Sequence, residues 1–192
     1  MTEPVLQIIV GSTRKGRVGR AVADWFRGSA EAYGAFKVEF TDLAELDLPF
    51  MDEPHHPRLR QYENAHTKEW SAIVDRSDAF VFVTPEYNHS FSAPLKNALD
   101  YLHHEWNHKP AGFVSYGGLS GGTRAVQGLR QVVSTLKMVP VLEAVNIPFV
   151  MQLPIEDGVL RPNEISEAAA AEMLAELAKL TGPLRAMRLS ES

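Results

Sequence analysis

Apolar runs and helix-spaced stripes alternate along the chain. Val5 to Val10 is a short apolar run rich in β-branched residues, closed by Gly11, and it predicts a buried strand. After the polar loop Ser12 to Gly16, Val18, Val22, Trp25, Ser29 and Tyr33 recur at helical spacing. Gly34 closes that helix as glycine often does. Phe36 to Phe40 alternates apolar and polar residues, the mark of a half-buried strand. Asp42 to Asn64 shows no period and is rich in proline, histidine and acid. A second helix is expected around Trp70, Ile73 and Val74, then an almost wholly apolar strand from Ala79 to Thr84, stopped by Pro85.

Ser92 reads as an N-cap, with Pro94 in the first turn, where a missing N–H costs little. Leu95, Leu99 and Leu102 continue that helix as a stripe. Ala111 to Ser115 is a further strand, ended by Gly117-Gly118. Val126, Leu129, Val133 and Leu136 place a helix over Ala125 to Lys137, and Val139 to Val145 is strand-like. Glu164 to Leu184 predicts a last helix with Ile165, Ala169, Met173, Leu177 and Leu180 on one face.

Apolar strands alternating with amphipathic helices imply an α/β protein: a three-layer, doubly wound, five-stranded parallel sheet. With no linker or repeat, residues 1–192 read as one domain. In such folds a ligand sits beyond the carboxyl ends of the strands, at the topological switch point. Three loops leave those ends: Gly11 to Gly19, Thr84 to Ser92 and Tyr116 to Gly122. They are also the loops with unusual chemistry.

Composition narrows the picture further. The 45% apolar and 22% charged fractions exclude disorder. No apolar run reaches the roughly 20 residues that span a bilayer. Met1-Thr2-Glu3-Pro4 has no basic stretch ahead of Val5 to Val10, so no secretory leader is expected. The absence of cysteine excludes thiol nucleophiles, thiolate metal sites and disulfides, and fits a reducing cytoplasm. A net charge of -5 argues against a nucleic-acid partner and for a small molecule.

The first loop, from strand to helix, offers free backbone N–H groups and the positive end of a helix dipole. Ser12 and Thr13 add hydroxyls, and Arg14, Lys15 and Arg17 add charge, so the loop suits a phosphate. It is not G-x-G-x-x-G. Gly11 and Gly16 have the Walker A separation, but Arg17-Val18 stands where Lys-Ser/Thr is required, which disfavours a Mg-nucleotide machine. The second loop, Pro85-Glu86-Tyr87-Asn88-His89-Ser90, combines an aromatic face with amide donors and suits a flat, hydrogen-bonding ring. The glycines of Ser115-Tyr116-Gly117-Gly118 and Ser120-Gly121-Gly122 let the backbone approach a ligand closely.

The loops G-S-T-R-K-G-R-V-G, T-P-E-Y-N-H-S-F-S-A-P-L-K-N-A-L-D and S-Y-G-G-L-S-G-G resemble those of the NAD(P)H-dependent FMN reductase family. The resemblance runs from Val5 to about Pro148, and its second motif is the most specific. That family is flavodoxin-like and includes quinone, azo-dye and chromate reductases. The resemblance implies an FMN phosphate held by Ser12, Arg14, Arg17, Val18 and Gly19. It places the isoalloxazine against Pro85, Glu86, Tyr87 and Asn88, with Ser115, Gly117 and Gly118 along the far edge. Many members have Ser and Asn where this chain has Arg17 and Gly19. The backbone cradle survives that change, and the side-chain role of position 17 is open.

The expected activity is transfer of electrons from NADPH or NADH to a quinone, flavin, azo dye or metal oxyanion. The cofactor carries the redox chemistry, so no indispensable acid–base side chain is expected. A flavodoxin-type electron carrier is the alternative; the modest charge and the basic first loop favour the reductase. Phe91, Leu95, Leu99, Tyr101, Leu102 and Trp106 are more than one helix buries against one sheet, and predict a homodimer or dimer of dimers. Asp42 to Asn64 is expected to fold over the dinucleotide, with Arg58 or Arg60 favouring NADPH.

Two further constellations are set aside. His104-Glu105-Trp106-Asn107-His108 matches H-E-x-x-H, but Lys109-Pro110 ends any helix there, so zinc chemistry is not expected. The pair His55-His56 and the acids Asp42, Glu45, Asp47, Asp52 and Glu53 read as solvated surface.

Overall fold

The structure, a computed structural model, describes residues 3–191. Met1, Thr2 and Ser192, and with them part of the N-terminal segment read for a leader, lie outside the described residues. The elements run β1 (Val5–Val10), α1 (Gly19–Tyr33), β2 (Lys37–Asp42), the single turn α2 (Leu43–Leu46), α3 (Ala65–Arg76) and β3 (Ala79–Pro85). Then come α4 (Ala93–Asp100), β4 (Pro110–Tyr116), α5 (Thr123–Thr135), β5 (Val139–Pro140) and β6 (Val145–Ile147). A hairpin, β7 (Ile155–Glu156) and β8 (Val159–Leu160), precedes α6 (Glu164–Glu191).

The sheet order is β2-β1-β3-β4-β5, with every pairing parallel, as the alternation of strands and helices required. Side chains alternate across a strand. Leu6, Ile8 and Val10 therefore face α1 and α6, while Ile9, Phe80 and Phe82 face α3, α4 and α5. β3 and β4 are buried at every position, which is why their sequences are nearly unbroken apolar runs.

The fifth strand is divided. Pro140 pairs with Ala111, and Val145 with Val114, so the edge chain advances five residues where β4 advances three. The surplus loops outward and leaves Leu142 exposed. A continuous strand over Val139 to Val145 is thus corrected to β5 and β6. In α6, Asn163 Oδ1 accepts the Ser166 N–H at 3.0 Å. The face packed into the core carries Ala170, Met173, Leu174 and Leu177, and Ile165 is exposed rather than on it.

Ser92 occupies the N-cap position of α4, but its hydroxyl donates to the Gly11 carbonyl at 2.6 Å and so ties the second loop to the first. Leu95, Leu99, Tyr101, Leu102 and Trp106 are all buried within the monomer. The Trp106 ring lies 5.0 Å from Phe80 and 5.8 Å from Trp70. These residues therefore need no second subunit, and the packing argument for a dimer falls.

The segment after β2 does not fold over the carboxyl ends for its whole length. Asn97 fastens it beside α4, donating to the Pro49 carbonyl at 2.7 Å and accepting the Met51 N–H at 3.0 Å. Arg60 then pairs with Asp75 at 3.2 Å and with buried Glu105 at 3.4 Å. Arg58 Nε donates to His103 Nε2 at 3.0 Å. Asp75 lies at the end of α3, and His103 and Glu105 precede β4, so both arginines lie at the amino end of the sheet. That is opposite the candidate site and corrects their expected role in NADPH selection.

Candidate functional site

The first loop is built to leave donors free. Gly11 N–H extends the sheet ladder to the Val83 carbonyl at 2.8 Å, and Arg17 N–H closes a turn on the Arg14 carbonyl at 3.2 Å. α1 begins at Gly19, and the first N–H groups of a helix have no carbonyl one turn earlier. Gly19 itself is required. A Cβ there would stand 2.2 Å from the Tyr116 hydroxyl. Ser12 is buried, its hydroxyl 3.2 Å from that of Tyr87. Arg14 is exposed, and among the described residues its hydrogen bond is a long one, 3.5 Å to the Lys15 carbonyl.

Arg17 is directed elsewhere. Its Nη1 and Nη2 meet the two oxygens of Asp42 at 2.7 and 2.6 Å, and Nη1 also donates to the Ser12 carbonyl. The side chain braces the loop through these contacts while it also borders the cavity.

In the second loop, Tyr87 and Ser90 exchange backbone hydrogen bonds at 2.9 and 3.0 Å. Asn88 and His89 between them both have positive φ, 49° and 67°, the geometry of a type I′ turn. Asn88 lies exposed at its tip. Glu86 holds the third loop: its carboxylate accepts from Arg124 Nε at 2.6 Å and from the Ser120 hydroxyl at 3.0 Å. Burial pushes the Glu86 pKa up, but these hydrogen bonds and the Arg124 charge outweigh it and hold the carboxyl below its usual value.

The third loop is laced to the segment after β6. Phe149 N–H donates to the Gly118 carbonyl at 3.0 Å, and Val150 N–H to the Gly117 carbonyl at 3.2 Å. Ser115 turns inward, donating to the Gly121 carbonyl at 2.8 Å with Asn146 Oδ1 at 2.9 Å. Gly122, at φ +88°, leaves room for it, since a Cβ there would come 2.7 Å from that of Ser115.

The three loops enclose a cavity of about 270 Å³. Of the expected residues, Arg14, Arg17, Val18, Pro85, Glu86, Tyr87, Gly117 and Gly118 line it. Ser12, Gly19, Asn88 and Ser115 do not; they stand behind it or, for Asn88, at the turn tip. The sequence reading missed Tyr116 as a site residue, and the wall formed by Phe149, Val150, Met151 and Gln152. Tyr116 is 5% exposed, and among the described residues its hydroxyl makes no well-formed hydrogen bond, with the Ser12 hydroxyl as its polar neighbour. Burial raises its pKa, so it stays a neutral donor. A buried hydroxyl without a well-formed hydrogen bond is costly and calls for a ligand acceptor. With the free N–H groups and Arg14 it fits a phosphate, and the Tyr87 face and the open space at Gly118 fit a flat ring. A larger cavity, about 560 Å³, lies between Thr13, Leu48, Phe50 and Pro94. It has Asp47 on its wall and no cation, so it does not suit an anion.

His104–Trp106 is one 3₁₀ turn rather than part of a continuing helix. Glu105 is buried there and accepts from the Ser71 and Tyr62 hydroxyls at 2.8 and 3.0 Å. The H-E-x-x-H spelling marks a structural carboxylate.

Residues 5–152 match the NADPH-dependent FMN reductase family. The chain belongs to this family. The same fold is seen in FerB, a flavoenzyme NAD(P)H:(acceptor) oxidoreductase from Paracoccus denitrificans. That structure superposes with a TM-score of 0.73 at 22% identity, covering 94% of this chain and 98% of that one. An NAD(P)H-dependent FMN reductase of Schizosaccharomyces pombe is 42% identical over 149 residues, 76% of this chain and 74% of the relative. An NAD(P)H:quinone oxidoreductase of Solanum tuberosum is 30% identical over 186 residues, covering 90% and 92%. As a member, this FMN reductase-family chain is an FMN- and NAD(P)H-dependent oxidoreductase.

Proposed function

We propose that this chain takes electrons from NADPH or NADH and delivers them to a quinone or another small oxidised aromatic acceptor at the 270 Å³ cavity. The observation that carries the reading is the buried Tyr116 hydroxyl, without a well-formed hydrogen bond among the described residues, on the wall of the same 270 Å³ cavity as Arg14 and Val18. In this reading Tyr116, Arg14 and the N–H groups of Val18 and Gly19 hold the FMN phosphate. Pro85, Glu86 and Tyr87 bound one side of the ring, and Gly117 and Gly118 the other. Ser115 positions these groups from behind the cavity, and Arg17, on its wall, is committed to Asp42 and the Ser12 carbonyl. When bound, FMN supplies two-electron acceptance from a nicotinamide and onward donation; the protein supplies orientation and electrostatics. The quinone choice is supported by the activity in the name of the potato relative.

Two further features belong to the same proposal. Phe50, Leu119 and Met151 are 84%, 82% and 75% exposed around the carboxyl end of the sheet, and they support a homodimer, or a dimer of dimers, closing near the site. Light scattering at micromolar concentration checks it; a 21.3 kDa particle rejects it. A cytoplasmic location is supported by the absence of cysteine, and no helix among the described residues is long and apolar enough to cross a membrane.

The test of the main reading is the visible spectrum of the purified protein, reconstituted with FMN, before and after NADPH under anaerobic conditions. Rapid bleaching, reversed by a quinone, is expected. A protein that binds FMN but is not bleached by NADPH or NADH is an electron carrier instead. A protein that cannot be reconstituted overturns the site.

A further inference from the structure

Asp42 ends β2 with its side chain fully buried, directly behind the first loop. Its Oδ1 receives Arg17 Nη1 at 2.7 Å and the Ala44 N–H at 3.0 Å. Its Oδ2 receives Arg17 Nη2 at 2.6 Å and Arg20 Nη1 at 3.4 Å. Arg20 is shared with Asp24 at 3.0 Å and Glu45 at 2.7 Å, so Arg17 is the cation given over to Asp42. Arg17 in turn donates to the Ser12 carbonyl, inside the loop.

A carboxylate buried close to a phosphate repels it unless a cation is held against it. We propose that Asp42 is a positioning residue for the cofactor, acting through Arg17. The two form a charge-matched pair: Arg17 cancels Asp42 and fixes the Ser12 carbonyl, while Asp42 keeps Arg17 off the phosphate. The residue at position 17 is thereby tied to the residue at position 42. The inference rests on the placement of the FMN phosphate in the first loop.

The test compares FMN with riboflavin, which lacks the phosphate, in titrations of the apo-protein. The readout is the ratio of the two affinities. A general loosening of the fold lowers both alike and leaves the ratio unmoved. Arg17→Ser is expected to lower the ratio about 10- to 100-fold, the size of losing one buried charge partner near a ligand. Asp42→Asn is expected to raise it, because Arg17 is then an unspent cation beside the phosphate. The Arg17→Ser/Asp42→Asn double variant is expected to return to within about 3-fold of the parent ratio, since the two changes cancel within one coupled pair. Arg17→Lys keeps the charge and is expected to keep the ratio; Arg17→Met, of similar length and uncharged, replaces Arg17→Ser if that variant does not fold and is expected to lower the ratio in the same way. A double variant no better than Arg17→Ser overturns the pairing. So does a ratio that stays constant across all variants while the parent prefers FMN. A parent that binds both flavins equally overturns the phosphate placement itself.

Discussion

Gly19 shows how one missing carbon shapes this site. Its Cα abuts the Tyr116 hydroxyl, and a methyl group there has no room at 2.2 Å. Gly19→Ala is expected to destabilise the protein by about 1–3 kcal/mol, the usual cost of overpacking, and to abolish FMN binding. Tyr116→Phe removes the clashing oxygen, so Gly19→Ala/Tyr116→Phe should recover stability, read by thermal unfolding, without recovering tight FMN binding. A double variant no more stable than Gly19→Ala sinks the steric account. Arg14 is exposed on the cavity wall, and among the described residues its hydrogen bond is the long one to the Lys15 carbonyl. Arg14→Ala is expected to weaken FMN about 10- to 100-fold, as one charge-assisted hydrogen bond is worth about 1.5–3 kcal/mol. FMN titration of the apo-protein measures it, and unchanged affinity removes Arg14 from the site. Arg17 could not be read in the same way. Its role depends on Asp42, 25 positions along, and no local pattern connects them. The Tyr116 hydroxyl was equally hidden, since an unmade hydrogen bond is a property of three-dimensional neighbours.

At the scale of elements, legibility follows burial. β1, β3 and β4 are nearly unbroken apolar runs because both faces are covered, and their positions in the sequence reading stand. The edge strand and α6 are half solvated, so their details escape the apolar pattern: the surplus residues between Pro140 and Val145, and Ile165, which faces solvent in the first turn of α6. The turn after β3 carries its own signature once its dihedrals are known. Both central positions of a type I′ turn favour Asn or Gly, and this chain places Asn88 first and His89 second. A histidine held at φ 67° pays the left-handed penalty of about 1–2 kcal/mol, only partly offset by the greater freedom glycine loses on folding. His89→Gly is therefore expected to raise stability by about 0.5–1 kcal/mol with FMN affinity unchanged. Denaturant unfolding checks the first point and FMN titration the second; a loss of stability shows that the histidine ring makes a compensating contact.

The whole molecule divides its tasks between the two ends of the sheet. The carboxyl end holds the loops that grip a ligand. The amino end is stitched by charge: Arg188 meets Asp78 at 2.8 Å, and Arg60 meets Asp75 and Glu105. At the centre of that stitching, Lys109 is buried ahead of β4 and donates to the Val74 and Asp75 carbonyls at 2.7 and 2.9 Å, closing the last turn of α3. Burial first, and then the Arg188 charge, push the Lys109 pKa down to about 7. An unfolded lysine titrates near about 10.4. Between those values the unfolded chain binds the proton and the folded chain releases it. Stability therefore rises with pH across that window, because ∂ΔG/∂pH is positive wherever the unfolded state holds more protons. Neutral Lys109 still has two N–H donors for the Val74 and Asp75 carbonyls, so the hydrogen bonds survive deprotonation. Tyr62 and Tyr116 work in the opposite sense, since burial raises both pKa values and their contribution is lost above the ordinary tyrosine range. The clean interval thus runs from about pH 7 to about pH 9. Chemical denaturation at intervals across it is expected to show the wild-type chain gaining stability steadily. Lys109→Met fills the same buried channel without a titrating group, and its profile should be flat. A slope in Lys109→Met equal to that of the wild type assigns the pH dependence to other groups and removes Lys109 as its source.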